Sequence, residues 1–382
     1  MRIASIDAIR GIAILGILLM NIPYHANLMM GYVPFEPSLV SDQIFSYIYA
    51  IFVDGRFRML FCILFGVGLA IQYEYCDRHR IDANTYLNTR FKWLLLFGFI
   101  HALVLFGGDI LMLYACVAMY AIKKLPTSDA EFDSILLSKA IRLLTIGSLV
   151  LFVWGAVTLL TYEPSELITR NSETFTEQLN EWNGDPILRV ISELGFALVL
   201  VTTSPLHILW QTMGAMYLGM YLYQSGFFAT GFSPKALVKI SLLALVTTLI
   251  CLLPHVYIGS VIAEVNFFFS ATSSVLVALI YAHVIVKICN RYNGFVRVFA
   301  PVGKLAFSLY ILQSLAMSIG FTWLFPSFYS SATQLDYFGL VVVFSIIQIL
   351  IAHFYLRHFK TGPLEALWRR CYQRNIQTKA ED

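Results

Sequence analysis

The sequence predicts an all-α, polytopic integral membrane protein, a helical bundle of about ten transmembrane helices with both termini in the cytoplasm. Three observations lead to this prediction. Of the 382 residues, 58% are hydrophobic and 13% are charged, whereas soluble domains carry about 25% charged residues. Apolar runs recur at close to the ~20 residues that a helix needs to cross a bilayer. The basic residues gather in alternate loops, as the positive-inside rule requires.

Ten apolar runs fit as crossings. They are residues 3–22, 57–75, 91–107, 109–122, 142–162, 205–224, 237–257, 266–286, 305–325 and 338–357. The runs are continuous, which excludes the alternating pattern of an outer-membrane barrel. The first run has no small-residue cleavage pattern at its end and is therefore predicted to be a retained helix. Placing alternate loops on opposite sides puts 22 of the 26 basic residues on one side, which is predicted to be cytoplasmic.

Residues 1–357 are predicted to form the bundle, with an acidic outer loop at 163–190. Glu173, Glu177 and Glu181 recur every four residues in this loop, on one face of a helix. A solvated helix explains that pattern, and cation binding is the alternative.

Two further segments are predicted to lie at the membrane surface or to enter it partly. Residues 187–204 fit the topology as a re-entrant or interfacial helix. Residues 358–382 are predicted to be a cytoplasmic interfacial, amphipathic helix and tail, with Pro363 at the helix start and Trp368 beside a basic pair.

Charged residues at membrane depth are the candidates for function, because they are costly to bury there. The first cluster is Asp7 and Arg10, three apart on the first helix. They either pair with each other or line an entrance from the cytoplasm. The second cluster is Asp54, Arg56 and Arg58 around a glycine. This cluster indicates either the lining of a polar cavity or a self-neutralising Asp–Arg pair.

The third cluster is His101 followed by Gly107, Gly108 and Asp109. Histidine exchanges protons near neutral pH, and Asp109 is placed to orient its ring. A histidine whose hydrogen bonds are satisfied within the core is the alternative. No nucleotide-binding loop, nucleophile elbow or metal-spaced Cys/His set is present, so a metal site is not expected. Nucleic-acid binding has no basis beyond the loop charges.

These residues resemble the YeiB-like family of bacterial inner-membrane proteins, known as a domain of unknown function. The matching pieces cover nearly the whole chain in the family's order. They are Ser5 to Gly16 with Asn21-Ile22, Leu60-Phe61, Leu64 to Gly66, Gly98 to His101, Gly108 to Leu111, Gly214 to Gly219, Val302 to Lys304, Tyr310, Gln313, Gly362 to Glu365 and Trp368-Arg369. Arg56 departs from the lysine that such proteins often have. The resemblance implies a multi-pass protein of the bacterial inner membrane.

The opening Asp-x-x-Arg-Gly helix also resembles the wider transmembrane acyltransferase superfamily. That resemblance implies transfer of an acyl group from cytoplasmic acyl-CoA, the donor, to a hydroxyl or amine of a small-molecule, glycan or lipid acceptor. Asn21 matches the asparagine that ends the superfamily's first helix. The superfamily's essential histidine has no single counterpart, because His25 lies too close to Asn21 and His101 is on another helix.

The leading functional prediction is therefore an inner-membrane acyltransferase. His101 is predicted to be the general base, Asp109 to hold its ring and Asn21 to donate a hydrogen bond to the oxyanion. Arg56 or Arg58 is predicted to neutralise donor phosphate, with Asp54 beside them.

The alternative prediction is a transporter or permease for a small anionic solute, in which the same buried His, Asp and Arg groups form a proton relay or anion site. The partners expected are the lipid bilayer and an acceptor or solute, and homo-oligomer formation is left open.

Overall fold

The computed structural model describes residues 4–123, 132–161, 163, 168–253, 255 and 263–381, and within these ranges the protein is all-helical. The helices are α1 (Ala4–Ala26), α2 (Val40–Phe52), α3 (Arg56–His79), α4 (Ala83–Val104), α5 (Ile110–Ile122), α6 (Phe132–Thr161), α7 (Glu173–Gly184), α8 (Pro186–Thr203), α9 (Leu209–Gln224), α10 (Phe227–Thr230), α11 (Pro234–Cys251), α12 (Ala263–Arg291), α13 (Asn293–Lys304), α14 (Ala306–Ile319), α15 (Phe328–Ser331), α16 (Gln334–His358) and α17 (Pro363–Glu381). A short 3₁₀ turn, Ser204–Leu206, follows α8, and a π-helical turn, Gly320–Leu324, extends α14.

Among the described residues, seven helices are long and apolar enough to cross a membrane. They are α1, α6, α8 with its 3₁₀ turn, α11, α12, α14 with its π-helical turn, and α16. The chain is therefore a multi-pass helical membrane protein, which confirms the predicted class. Two other helices, α3 with 24 residues and α4 with 22, are as long but more polar. Helix α5 is apolar but has 13 residues.

The helix ends form two opposite faces of the bundle. Contacts between distant parts of the chain show which helix ends share a face. The terminal face holds the start of α1, the ends of α3 and α9, and α17. There, the Ser5 hydroxyl donates to the Phe228 carbonyl at 2.7 Å, and the Trp368 indole N–H donates to the Arg90 carbonyl at 3.0 Å. The opposite face holds the end of α1, α2, α7 and the start of α16.

The opposite face is closed by a cap in which Arg170 is central. Its buried guanidinium donates to the carbonyls of Val33 and Tyr329, both at 3.0 Å, and to the hydroxyl of Tyr337. Three separate segments of the chain meet at this one side chain. The cap is therefore an ordered structure that covers the ends of the helices on this face.

Within the outer loop, the structure contains the predicted acidic helix as α7. Glu173, Glu177 and Glu181 are all exposed, and Phe175 is the buried contact to the bundle. This exposure agrees with a solvated helix. Helix α17, predicted from Pro363 onward, extends to Glu381 with Pro363 in its first turn.

Close backbone approach holds the centre of the bundle together. Gly66 on α3 lies against the backbone of Met216 on α9, and Gly219 on α9 lies against the backbone of Ile63 on α3. A side chain at either glycine would push the two helices apart. Small residues at such crossings are typical of helices packed in membranes, where close van der Waals contact stabilises association.

Helices α8 and α9 form one interrupted path through the bundle. The α8 residue Glu193 accepts a hydrogen bond from the Gly107 backbone near the opposite face, and Ala197 packs deeper, against Ala102. After the 3₁₀ turn, α9 continues toward the terminal face, where the Tyr223 hydroxyl donates to Glu74 at 3.3 Å. The helix predicted at 187–204 is long and apolar enough to cross a membrane, packs against the bundle through Glu193 and Ala197, and leads directly into α9.

Candidate functional site

A cavity of about 580 Å³ lies between α1, α3, α4, α14 and α17. Its inner wall is apolar and aromatic, with Phe61, Phe65, Phe91 and Leu94 among the lining residues. Charged side chains line it at the terminal face. A deep apolar pocket with a polar opening is the usual form of a small-molecule site.

The mouth of the cavity is strongly basic. Five cationic side chains line it, against two carboxylates, a surplus of 5 − 2 = 3 positive charges; the cations are Arg10, Arg90, Lys304, Lys360 and Arg369, and the carboxylates are Asp7 and Glu365. Arg10 pairs with Asp7 at 3.2 Å, so the pairing and lining interpretations of this cluster hold together. The remaining cations favour an anionic ligand.

Glu365 docks the start of α17 onto α14. Its carboxylate accepts from the backbone N–H groups of Phe307 at 2.9 Å and Ser308 at 3.2 Å, and from the Ser308 hydroxyl. These N–H groups lie in the first turn of α14, where a helix has no internal acceptors and carries partial positive charge. Glu365 is therefore engaged in holding α17, and its charge is partly offset by α14.

Arg90 is fixed to α17 by aromatic residues. Its guanidinium lies 4.0 Å from the centroid of the Trp368 ring and 5.2 Å from that of Tyr372, and it donates to the Tyr372 hydroxyl at 3.1 Å. Asp82 caps the start of the same helix, α4, by accepting from the Thr85 backbone at 2.8 Å, and hydrogen bonding from the Thr85 side chain and backbone lowers the pKa of Asp82. The structure thus presents Arg90 in a single orientation beside the mouth.

The closed end of the cavity is formed by Tyr310, Ile110 and Leu111. The His101 ring lies next to Tyr310, with 5.0 Å between ring centroids, and is 3% exposed. His101 Nδ1 is 2.8 Å from Asp109 Oδ1, as the sequence predicts. The other ring nitrogen, Nε2, is buried and makes no hydrogen bond of ordinary length and angle.

The Asp109 side chain is held by the backbone at the start of α5. It is the N-cap of α5, and its second oxygen accepts from the Met112 N–H at 2.7 Å. Gly98 lets the two helices approach, because a Cβ at this position would stand 2.7 Å from Met112 N and 2.8 Å from Asp109 Oδ2. The pair is thus rigid: one carboxylate caps a helix and orients an imidazole at the same time.

A second histidine approaches this pair from the opposite face. His25, near the end of α1, stacks on Phe106 with 3.9 Å between centroids, and Phe106 also contacts the His101 ring at 6.4 Å. Asn21 is half-buried one helical turn before His25. Within the described chain, no hydrogen bond joins Asn21 to His101, so its predicted role stays a prediction.

The second predicted cluster lies elsewhere. Arg56 is fully buried and donates to the Ser270 carbonyl at 3.2 Å, to the Ser273 hydroxyl at 2.7 Å and to the Asp54 carbonyl. Arg58 donates to the Gln211 amide oxygen at 3.4 Å. Neither arginine is among the residues that line the cavity. Asp7 and Arg10 thus line the cavity, and His101 with Asp109 lies behind its Tyr310 wall. Arg56 and Arg58, with Asp54 beside them, lie away from the cavity, the two arginines against α12 and α9.

Several site residues were not predicted from the sequence: Arg90, Lys304, Tyr310, Lys360, Arg369 and Tyr372. The basic ones were assigned to orientation alone, because a cytoplasmic lysine or arginine has the same sequence signature whether or not it faces a cavity. Among the described residues, no group of three or more His, Cys, Asp or Glu could hold a metal ion.

These features define a class: a polytopic helical membrane protein with a cavity open at one face. Residues 222–375 match the family described as "Protein of unknown function (DUF418)". The chain is 24% identical to uncharacterized protein YeiB of Escherichia coli, over 97% of this chain and 96% of that protein. It is also 24% identical to uncharacterized protein YxaH of Bacillus subtilis, over 96% and 93%.

The DUF418 match covers this C-terminal part of the chain, and the chain is homologous to these two proteins over nearly its full length. A third relative, an uncharacterized 39.9 kDa protein of Bacillus acidopullulyticus, is 33% identical over 32% of this chain and 35% of that protein. No solved structure matches the chain.

Proposed function

We propose that this protein is a membrane-embedded acyltransferase that uses acyl-CoA as donor and acylates a hydroxyl or amine. The single observation that carries this proposal is the cavity. Its mouth is basic, its wall is apolar, and its closed end adjoins a buried His–Asp pair.

The mouth suits the nucleotide end of coenzyme A. Arginine and lysine bind phosphate through charge-assisted hydrogen bonds, and the cations Arg90, Lys304, Lys360 and Arg369 line the opening. Trp368 and Tyr372 offer aromatic faces beside them for the adenine ring. These residues take the phosphate-neutralising role that the sequence suggested for Arg56 or Arg58.

The depth of the cavity suits the pantetheine arm. Arg90 and His101 are eleven residues apart on α4, which is about 16 Å along a helix. A pantetheine arm has about as many chain bonds as four peptide residues, so it reaches ~14 Å when extended. A thioester whose phosphates lie at Arg90 therefore comes within about 2 Å of the level of His101 along the helix.

In this scheme His101 is the general base. Its Nδ1–H donates to Asp109, which leaves Nε2 to accept the proton of the attacking hydroxyl or amine. The acceptor's O–C or N–C bond to the acyl carbon forms as the C–S bond breaks. The proton then passes from Nε2 to the sulfur of the departing CoA. Asn21, as predicted, is a candidate donor to the oxyanion, and Asp7 with Arg10 borders the donor's entrance.

The proposal includes a topology of ten crossings with both termini in the cytoplasm of a bacterium and the chain in its inner membrane. The seven long apolar helices are joined by α3, α4 and α5, and α8 with α9 makes one interrupted crossing. The terminal face then carries the basic residues and meets cytoplasmic acyl-CoA.

A direct test uses purified full-length protein in detergent. Binding of desulfo-CoA, which lacks the thiol, is measured by calorimetry, and release of CoA from acetyl-, butyryl- and palmitoyl-CoA is followed by mass spectrometry with a membrane extract as acceptor source. We expect saturable binding and CoA release that His101→Ala abolishes. Absence of saturable binding at millimolar desulfo-CoA would contradict acyl transfer.

The alternative is a transporter, and one observation favours it. The interruption between α8 and α9 resembles the broken helices that line transporter binding sites. Counterflow uptake of a small anion into proteoliposomes, with no change in its chemistry and no CoA release, would support that reading over ours.

A further inference from the structure

Tyr310 stands between the cavity and His101. It lines the closed end, is 2% exposed, and contacts the His101 ring. His101 itself is not among the lining residues. A ligand that fills the cavity therefore touches Tyr310 first.

The hydroxyl of Tyr310 is buried and makes no hydrogen bond of ordinary length and angle. Leaving a buried polar group unsatisfied is destabilising, and phenylalanine would fill the same space without that cost. Because Tyr310 also lines the cavity, its O–H is available to a ligand that enters there.

Resting on the proposed acyl transfer, we propose that Tyr310 is a catalytic residue that donates a hydrogen bond to the carbonyl oxygen of the donor thioester. When the acceptor attacks, the C=O electron pair moves onto that oxygen, and the Tyr310 O–H stabilises the negative charge. The carbonyl reforms as the C–S bond breaks, and the acceptor's proton goes to His101 Nε2 and then to the sulfur. Tyr310 keeps its own proton throughout.

In this assignment, Tyr310 contacts the carbonyl oxygen of the donor, and His101 takes the proton of the acceptor that attacks the same carbon. The donor reaches Tyr310 from the terminal face, and His101 lies beyond it, toward His25 and Phe106. Donors aimed at the place where charge develops usually supply the largest contribution to such reactions. The assignment also makes Tyr310, instead of the half-buried Asn21, the main oxyanion donor.

The experiment compares Tyr310→Phe with the wild type. Tyr217→Phe is the matched control, because Tyr217 is equally buried and its hydroxyl donates to the Ala121 carbonyl at 3.0 Å, away from the site. We expect Tyr310→Phe to lower kcat for CoA release by about 10²–10³-fold, with the Kd for desulfo-CoA within about twofold of wild type. Thermal unfolding of both variants verifies folding.

A second variant keeps the test valid if Tyr310→Phe misfolds. Fluorotyrosine at position 310 retains the hydroxyl and makes it a stronger donor, so activity should persist, with the alkaline limb of the pH profile shifted to lower pH. Equal kcat for wild type and Tyr310→Phe would overturn the role of Tyr310 while leaving acyl transfer intact. A wild-type protein that neither binds desulfo-CoA nor releases CoA would overturn the proposed function, and this inference with it.

Discussion

Two buried ionisable regions of this protein differ in what surrounds them. Arg56 is fully buried, and its hydrogen bonds go to carbonyls and a serine hydroxyl of its own loop and α12. His101 is buried to a similar extent; Asp109 holds one of its nitrogens, and the other makes no hydrogen bond in the part of the chain that the structure describes. Arg56 Nε is also without a hydrogen bond there, so an unused buried atom does not by itself distinguish the two regions. The distinguishing feature is the neighbouring cavity, because the His101 ring contacts Tyr310, which lines it, whereas Arg56 does not line it.

The largest effect that would test this difference between the two regions is expected when the His101 imidazole is removed. His101→Ala should lower the rate of acyl transfer by about 10²–10⁴-fold, because it removes the general base, while desulfo-CoA affinity stays within about twofold. Rates come from CoA release and affinities from calorimetry. His353→Ala is the control, since His353 hydrogen-bonds to the Ile349 and Arg297 carbonyls and does not line the cavity. A His101→Ala rate near wild type would contradict the proposed role.

Removing the buried charge of Arg56 should lower the stability of the protein and leave acyl transfer unchanged. Arg56→Met is expected to lower the free energy of unfolding by about 2–4 kcal/mol, because it leaves several buried acceptors without a donor. Thermal or denaturant unfolding in detergent measures this. Lys239→Met is the matched control, since Lys239 is an exposed cation near the start of α11. A stable Arg56→Met protein with weakened CoA binding would reverse our assignment of the two regions.

A smaller effect is expected at the mouth. Arg369→Gln and Lys360→Gln should each weaken desulfo-CoA binding by about 3–10-fold, and less at high salt, because these contacts are partly exposed and screened. Arg370→Gln is the neighbouring control: Arg370 is exposed on the same helix and does not line the cavity. Equal losses for Arg369→Gln and Arg370→Gln would indicate a general charge effect and not a binding mouth.

The smallest effect concerns the docking of α17. Glu365→Gln weakens the carboxylate's contacts to Phe307 and Ser308 by replacing a charged acceptor with a neutral one, at a cost of about 1 kcal/mol. Local opening should then raise the rate at which maleimide labels Cys371, a half-buried free thiol on α17, by roughly fivefold. Labelling of Cys116, a thiol outside α17, should not change. An unaltered Cys371 rate would show that other contacts hold α17.

The sequence alone predicted those parts of this protein whose signal is local. The membrane-spanning class follows from long apolar runs. The His101–Asp109 contact spans eight residues, and the short Gly-Gly turn between α4 and α5 brings the two side chains near each other. The acidic helix α7 follows from a four-residue period. In each case the interacting residues are neighbours in the chain.

The mouth of the cavity could not be predicted in this way. Its residues come from α1, α4, α13 and α17, and Asp7 and Tyr372 are almost a whole chain apart. A lysine that binds phosphate and a lysine that orients a helix in the membrane look the same in a sequence. The prediction that Arg56 or Arg58 meets donor phosphate names residues that do not line this cavity, because polar residues before a span give no information on which neighbouring helix they face.

The participation of α1 and α17 in one cavity has a consequence for assembly. Of the described helices, α1 is synthesised first and α17 last. Arg90 acquires its Trp368 and Tyr372 contacts only after α17 has been made. Such long-range closure is slow compared with local helix pairing. Newly inserted protein therefore passes through a stage in which α4 and α5 are in place, but the basic mouth of the cavity does not yet exist.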